Sequence, residues 1–122
     1  MRDFEVLVDE PVSAGGSDAG PTPTELLLAS LAACFTLSVA HAARKAGQDL
    51  ADLSVCVRGQ YQGLRFARIT VEARSSQPEL VRSVLDQAVR YSYVSGTLAG
   101  GPEIEYRVEA ASHGATTPLP PR

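Results

Sequence analysis

The sequence has no tryptophan and only three phenylalanines and four tyrosines. Its core therefore has to be built from Leu, Val and Ala rather than around large rings. It also has no basic run: eleven Lys and Arg are scattered among fourteen acids, for a formal net charge of -3 and a pI near 5.3. Nucleic acids and anionic membranes both require concentrated positive surface, so neither is an expected partner. The opening "MRDFEVLVDEP" has acids where a secretory signal has a basic start and an apolar centre, and the chain is read as cytoplasmic. Two cysteines in a reducing compartment are free thiols rather than a structural disulfide. With two histidines they show no ligand spacing, so neither a metal nor a cofactor is called for. No internal repeat is present.

What remains is a 122-residue chain, 44% hydrophobic and 20% charged, the balance of an ordinary globular protein. One domain over residues 1–110 is expected, followed by a loose Pro-rich tail, 111–122. "FEVLV", Phe4 to Val8, reads as a short strand. The Gly- and Pro-dense run "DEPVSAGGSDAGPTPTE" then reads as a long loop with sharp turns, and long loops in compact domains tend to be functional. A helix begins after Pro23, with Thr22 or Thr24 as N-cap and Glu25 favouring the helix dipole, and Gly47 stops it after Arg44 and Lys45. "LSVCVRGQY", from Leu53, and "FARITVEAR", from Phe66, alternate as two strands of a hairpin turned at Gly63, with Cys56 facing away from the core. Pro78 opens a second helix, with Ser76 as its N-cap. It ends near Tyr91 to Ser95, with Gly96 as a left-handed stop. "EIEYRVEA" from Glu103 is a last strand.

The order strand, helix, two strands, helix, strand predicts an α+β fold with two helices on one face of an antiparallel sheet. The first helix is apolar almost all round. Its length approaches the roughly 20 residues that cross a bilayer, but Ser30, Thr36, Ser38 and His41 interrupt it and no second span accompanies it. A central helix covered on its other side by a second subunit is the expectation, hence a homodimer.

Cys34 lies at the middle of that helix. Ser30 and Ser38 share its face at four residues, and His41 at seven, about 10 Å along the axis and too far for a direct hydrogen bond. Glu25, nine residues before Cys34, lies about 180° round the helix. It could act through a bent first turn, act across a dimer axis, or simply favour the helix start. A cysteine reacts as thiolate, which apolar burial disfavours and a cation or aimed N–H donors favour. Free cysteines in apolar helices are more commonly buried and inert, and composition alone leaves Cys34 inert.

The run "DEPVSAGGSDAGPTPTELLLASLAACFTLSVAHAARKAG" resembles the signature of the OsmC/Ohr family of organic hydroperoxide and osmotically induced thiol peroxidases. The resemblance implies an α+β fold in which two subunits intertwine around central helices. It implies that Cys34 is the peroxidatic cysteine, with Glu25 at the acidic position of the Pro-x-Glu-Leu segment, where peroxidase branches often carry acid one residue earlier. It implies a small organic hydroperoxide as substrate and a thiol or dithiol as reductant. Where the peroxidases place their redox-partner cysteine, in a Cys-Pro-Val-Ser-x-Thr-Leu segment, this chain reads Ser92, Tyr93, Val94, Ser95, Gly96, Thr97, Leu98. Resolution by an external thiol is then expected, with Cys56 not a substitute. The family also uses an arginine from an N-terminal stretch, where this chain has only Arg2. The alternative expectation is a non-catalytic dimer that binds a small apolar ligand.

Overall fold

The structure, a computed structural model, describes residues 2–100. They fall into two compact units, an N-terminal segment up to Pro23 and a helix-and-sheet unit from Thr24 onward, each described by itself. The strand expected from Glu103 and the tail 111–122 lie outside the described residues.

The N-terminal segment holds one 3-10 turn, Val12–Ala14, in otherwise irregular backbone. The strand expected over Phe4 to Val8 does not form. Phe4, Val6, Leu7 and Val8 are all exposed, and among the described residues the only two strands pair with each other. Alternating apolar residues propose a strand, but a strand also needs a neighbour for its N–H and C=O groups. The following loop is ordered instead by one side chain. The Asp9 carboxylate accepts the N–H groups of Glu10 at 2.8 Å, Ser17 at 3.0 Å and Ala19 at 3.2 Å. The Gly-Gly pair is required there: Gly15 has φ 89°, and a Cβ on Gly16 would lie 2.0 Å from the Glu10 carbonyl oxygen.

In the second unit, helix α1 runs over Pro23–Lys45, starting one residue earlier than expected with Pro at its first position. It ends as predicted. Gly47 takes the left-handed conformation at φ 80°, its N–H reaches Arg44 O at 2.9 Å, and Gln48 N–H reaches Ala43 O at 3.0 Å. Strands β1 (Ser54–Gln62) and β2 (Arg65–Arg74) form the antiparallel hairpin, turned at Gly63 with φ 63°. A bulge lies at Gln60/Tyr61, where Tyr61 pairs with Phe66 and the two rings stack at 4.7 Å. Val55 and Val57 turn inward and Cys56 outward, as their alternation predicts.

Helix α2 spans Pro78–Tyr91, but Ser76 does not cap it. Its N–H and hydroxyl donate to the Asp52 carboxylate at 2.9 and 2.6 Å, charge-assisted bonds that commit the side chain there. Gln77 occupies the cap without a side-chain bond to the helix, its Oε1 accepting the Ala51 N–H at 2.8 Å instead. The chain then does not stop at Gly96. After Ser92 it restarts as a third helix, α3 (Tyr93–Gly100), in which Gly96 N–H donates to Ser92 O at 3.0 Å.

The result is α+β: three helices and a two-stranded antiparallel sheet. The core joins Phe35, Val39 and Ala42 of α1 to Val81, Val84 and Ala88 of α2, with Leu53, Val55 and Ala73 of the hairpin region packed against them. Helix α1 is long and apolar enough to cross a bilayer by length and composition, yet its buried stripe makes it the core helix of this fold. Its other flank is open, with Leu37 72% exposed.

Replacing Phe35 by Ala should cost about 3 to 5 kcal/mol, read as a lowered urea midpoint with unchanged slope. Asp52 is held below the usual carboxylate range, first by the Ser76 hydroxyl and then by the Ser76 N–H. Its contribution is therefore present above the ordinary carboxylate value of about 3.9 and fades as pH falls through the lowered folded value. Asp52→Asn should lower the thermal midpoint at pH 7, and the gap to the unaltered protein should close as both are taken into acid.

Candidate active site

Cys34 is half-buried on α1, one residue before the core residue Phe35. The docking of α1 on α2 carries it to the junction between α2 and α3. There Ser92, 2% exposed, donates its hydroxyl proton to Cys34 Sγ at 3.2 Å.

Ser92 does more than approach the sulfur. It is the residue before α3, and it takes the Ser95 N–H at 3.3 Å and the Ser95 hydroxyl at 2.9 Å on its own oxygen. A serine hydroxyl has one proton and two acceptor positions. All three are used.

The first turn of any helix leaves N–H groups without intrahelical partners. In α3 these are accounted for one by one. Ser95 N–H goes to Ser92 Oγ and Gly96 N–H closes on Ser92 O. The backbone N–H groups of Val94 and Tyr93 act on the Cys34 sulfur, favouring its ionised form. Together, Ser92 first, then Val94, Tyr93 and Ser38, hold the thiol below its ordinary value against the opposing effect of burial. The helix dipole at the start of α3 acts in the same direction.

Of the two ways of favouring a thiolate that the sequence left open, a cation or aimed donors, the structure takes the second. Among the described residues the groups acting on the sulfur are hydroxyls and peptide N–H groups, not the arginine that the family resemblance implies. Arg2 lies in the N-terminal segment with its guanidinium 5.0 Å from the centre of the Phe4 ring. Glu25 sits exposed in the first turn of α1, nine residues before Cys34, and is not among the groups that shift it. Cys56 is exposed on the outer face of β1, paired in register with Glu72, which holds Arg58 at 3.1 Å and Arg74 at 2.6 Å.

Cys34 opens into a cleft of about 350 Å³ lined by Leu37, Ser38, His41, Tyr91 and Tyr93. His41 shares the cleft but its ring meets Tyr91 edge-on at 5.7 Å. Lys45 donates to the Tyr91 hydroxyl at 2.9 Å and holds that phenol below its ordinary value. The arrangement can hold a thiolate and expose it to a small molecule. Sequence reasoning missed Ser95 and the tyrosines. The Ser-x-x-Ser spacing from Ser92 to Ser95 was a helix-start signal, obscured by reading Gly96 as a stop.

The family description "OsmC-like protein" matches residues 15–107. The chain belongs to the OsmC-like family. No curated protein matches it in sequence. Among solved structures, an OsmC protein of Legionella pneumophila named for organic hydroperoxide resistance is 19% identical, with a TM-score of 0.58, covering 80% of this chain and 76% of that chain. A Psychrobacter arcticus protein named for osmotic stress induction and detoxification response is 22% identical, with a TM-score of 0.66, covering 78% and 72%. A Vibrio cholerae protein named for organic hydroperoxide resistance, solved with captopril in one of its active sites, is 22% identical, with a TM-score of 0.60, covering 82% and 73%. At these identities the likeness establishes the OsmC-like fold.

The contact between Ser92 and Cys34 has a direct test in this OsmC-like chain. Ser92→Cys, treated with a mild oxidant, should lose two hydrogens in intact mass through a disulfide to Cys34. The same treatment of Ser92→Cys combined with Cys34→Ser should not.

Proposed function

We propose that this protein is a cytoplasmic, homodimeric, thiol-dependent peroxidase that reduces small organic hydroperoxides through Cys34. The observation that carries the reading is the donor set converging on Cys34 Sγ at the mouth of an open cleft: the Ser92 hydroxyl and the first N–H groups of α3. Such a set favours thiolate, the nucleophilic form. The names of the Legionella and Vibrio proteins give the substrate class.

In the reaction the thiolate attacks one oxygen of the peroxide. The S–O bond forms as the O–O bond breaks, and the departing alkoxide takes a proton and leaves as the alcohol. Cys34, oxidised by two electrons, is left as sulfenic acid. Ser92 has no sulfur to offer, so an external thiol condenses with the sulfenic acid to give a mixed disulfide and water. A second thiol then releases Cys34 and carries away the reductant's disulfide. One hydroperoxide and two thiols yield one alcohol, one disulfide and one water. The second subunit would cover the open flank of α1, where Leu27 and Leu37 are exposed.

A second reading, a non-catalytic dimer holding a small apolar ligand, is favoured by a different feature. A groove of about 880 Å³ runs between the helices and β2, lined among others by Leu31, Phe35, Phe66, Ile69 and Leu98.

Reduced protein mixed with cumene hydroperoxide or hydrogen peroxide separates the two. The peroxidase reading expects thiol loss faster than free cysteine, faster with the organic peroxide, abolished in Cys34→Ser and unaffected in Cys56→Ser. Its rate should rise with pH to a plateau reached below the ordinary thiol range, because the folded thiol titrates below it. Oxidation no faster than free cysteine would overturn it in favour of the ligand-binding dimer.

A further inference from the structure

The position where the family's peroxidases place a second cysteine is filled here by a residue that already has three hydrogen bonds. Ser92 Oγ receives the Ser95 N–H and the Ser95 hydroxyl, and only its own proton is left to give. That proton points at Cys34 Sγ. With both acceptor positions of Ser92 filled, a neutral Cys34 S–H would find no acceptor there, whereas a thiolate is itself the acceptor the site calls for. Ser92 is also fixed in place: it is 2% exposed and serves as the cap of α3, so its rotamer is set by the helix start as well as by packing.

We propose that Ser92 is a catalytic hydrogen-bond donor of this protein, with Ser95 as its positioning residue: the relay Ser95 to Ser92 to Cys34 fixes the reacting sulfur as an acceptor at the head of α3. The serine does not simply mark a lost redox partner. It replaces disulfide formation with activation, and leaves the oxidised sulfur to be reduced from outside. The proposal rests on the peroxidase reading only in naming Cys34 as the reacting group; the hydrogen-bond relay is tested without any peroxide.

Two substitutions separate the hydroxyl from the cap. Ser92→Ala removes both, while Ser92→Gly removes the hydroxyl but keeps most of the preference for a helix start. Each is made in a Cys56→Ser background, so that Cys34 is the sole thiol, and its alkylation by iodoacetamide is followed against pH with circular dichroism as a check on folding. The parent should show a midpoint below that of free cysteine. Both variants should raise that midpoint alike, by about one pH unit, or roughly tenfold less alkylation below it, the scale of one hydrogen bond to a charged group. Ser95→Ala should move it in the same direction by less.

A folded Ser92→Gly with the parent's midpoint would overturn the role of Ser92. A rise in Ser92→Ala alone would assign the effect to the helix cap and overturn it too. Should neither variant fold, a parent midpoint at or above that of free cysteine overturns the proposal without them. A lowered midpoint that rises in the variants, in a protein that does not reduce hydroperoxides, would leave the relay standing and remove the peroxidase reading alone.

Discussion

Everything at the candidate site depends on the contact between α1 and α2. Its central residues are small: Val39, Ala42 and Ala88 are fully buried, and Phe35 and Val84 nearly so. The side chains of the two helices form one buried cluster, and dense packing leaves little freedom in how they slide. Because Cys34 adjoins Phe35 on one helix and Ser92 follows Ala88 by one turn on the other, the packing register that fills the core also sets the distance between thiol and hydroxyl. The site is the polar continuation of an apolar seam.

At the end of that seam the chain breaks α2 and begins α3, and the break is what brings donors to the sulfur. A continuous helix would have satisfied the N–H groups of Tyr93 and Val94 internally. Interrupting it at Ser92 releases them toward the sulfur and turns a helix start into a small anion site. The protein thus reaches by peptide groups and a hydroxyl what a guanidinium would supply by charge. Such donors are fixed by backbone geometry and need no long side chain to be ordered.

Much of this was legible in the sequence, and the rest fails for definable reasons. The Gly47 stop, the hairpin about Gly63, the outward Cys56 and the buried stripe of α1 follow from local rules that act within a few residues. The resemblance drew attention to Cys34 and Ser92 as a pair. What was not legible is non-local. The Phe4 to Val8 strand lacks a partner among the described residues, which no periodicity reveals. Ser76 is claimed by Asp52, 24 residues earlier. Gly96 could stop a helix or sit inside one, and its conformation is decided by the cap at Ser92. Aimed N–H donors were one of the options the sequence left open, but which ones reach the sulfur is fixed by where α3 starts, and the first contribution comes from the hydroxyl of Ser92, 58 residues away.

The hydrogen bond between Ser92 and Cys34 joins residues 58 positions apart. None of the donors to the sulfur other than Ser38 lies near it along the chain, so a nascent or unfolded molecule carries at Cys34 a thiol like any other. The lowering of the thiol's pKa is therefore acquired only when α1 and α2 dock. The coupling runs both ways. Since the folded thiol titrates below the unfolded one, ionisation of Cys34 stabilises the native state. That gain is complete above the unfolded value of about 8.5 and is lost as pH falls through the lower folded value. In this protein, folding favours the ionised thiol, and the ionised thiol in turn favours the fold.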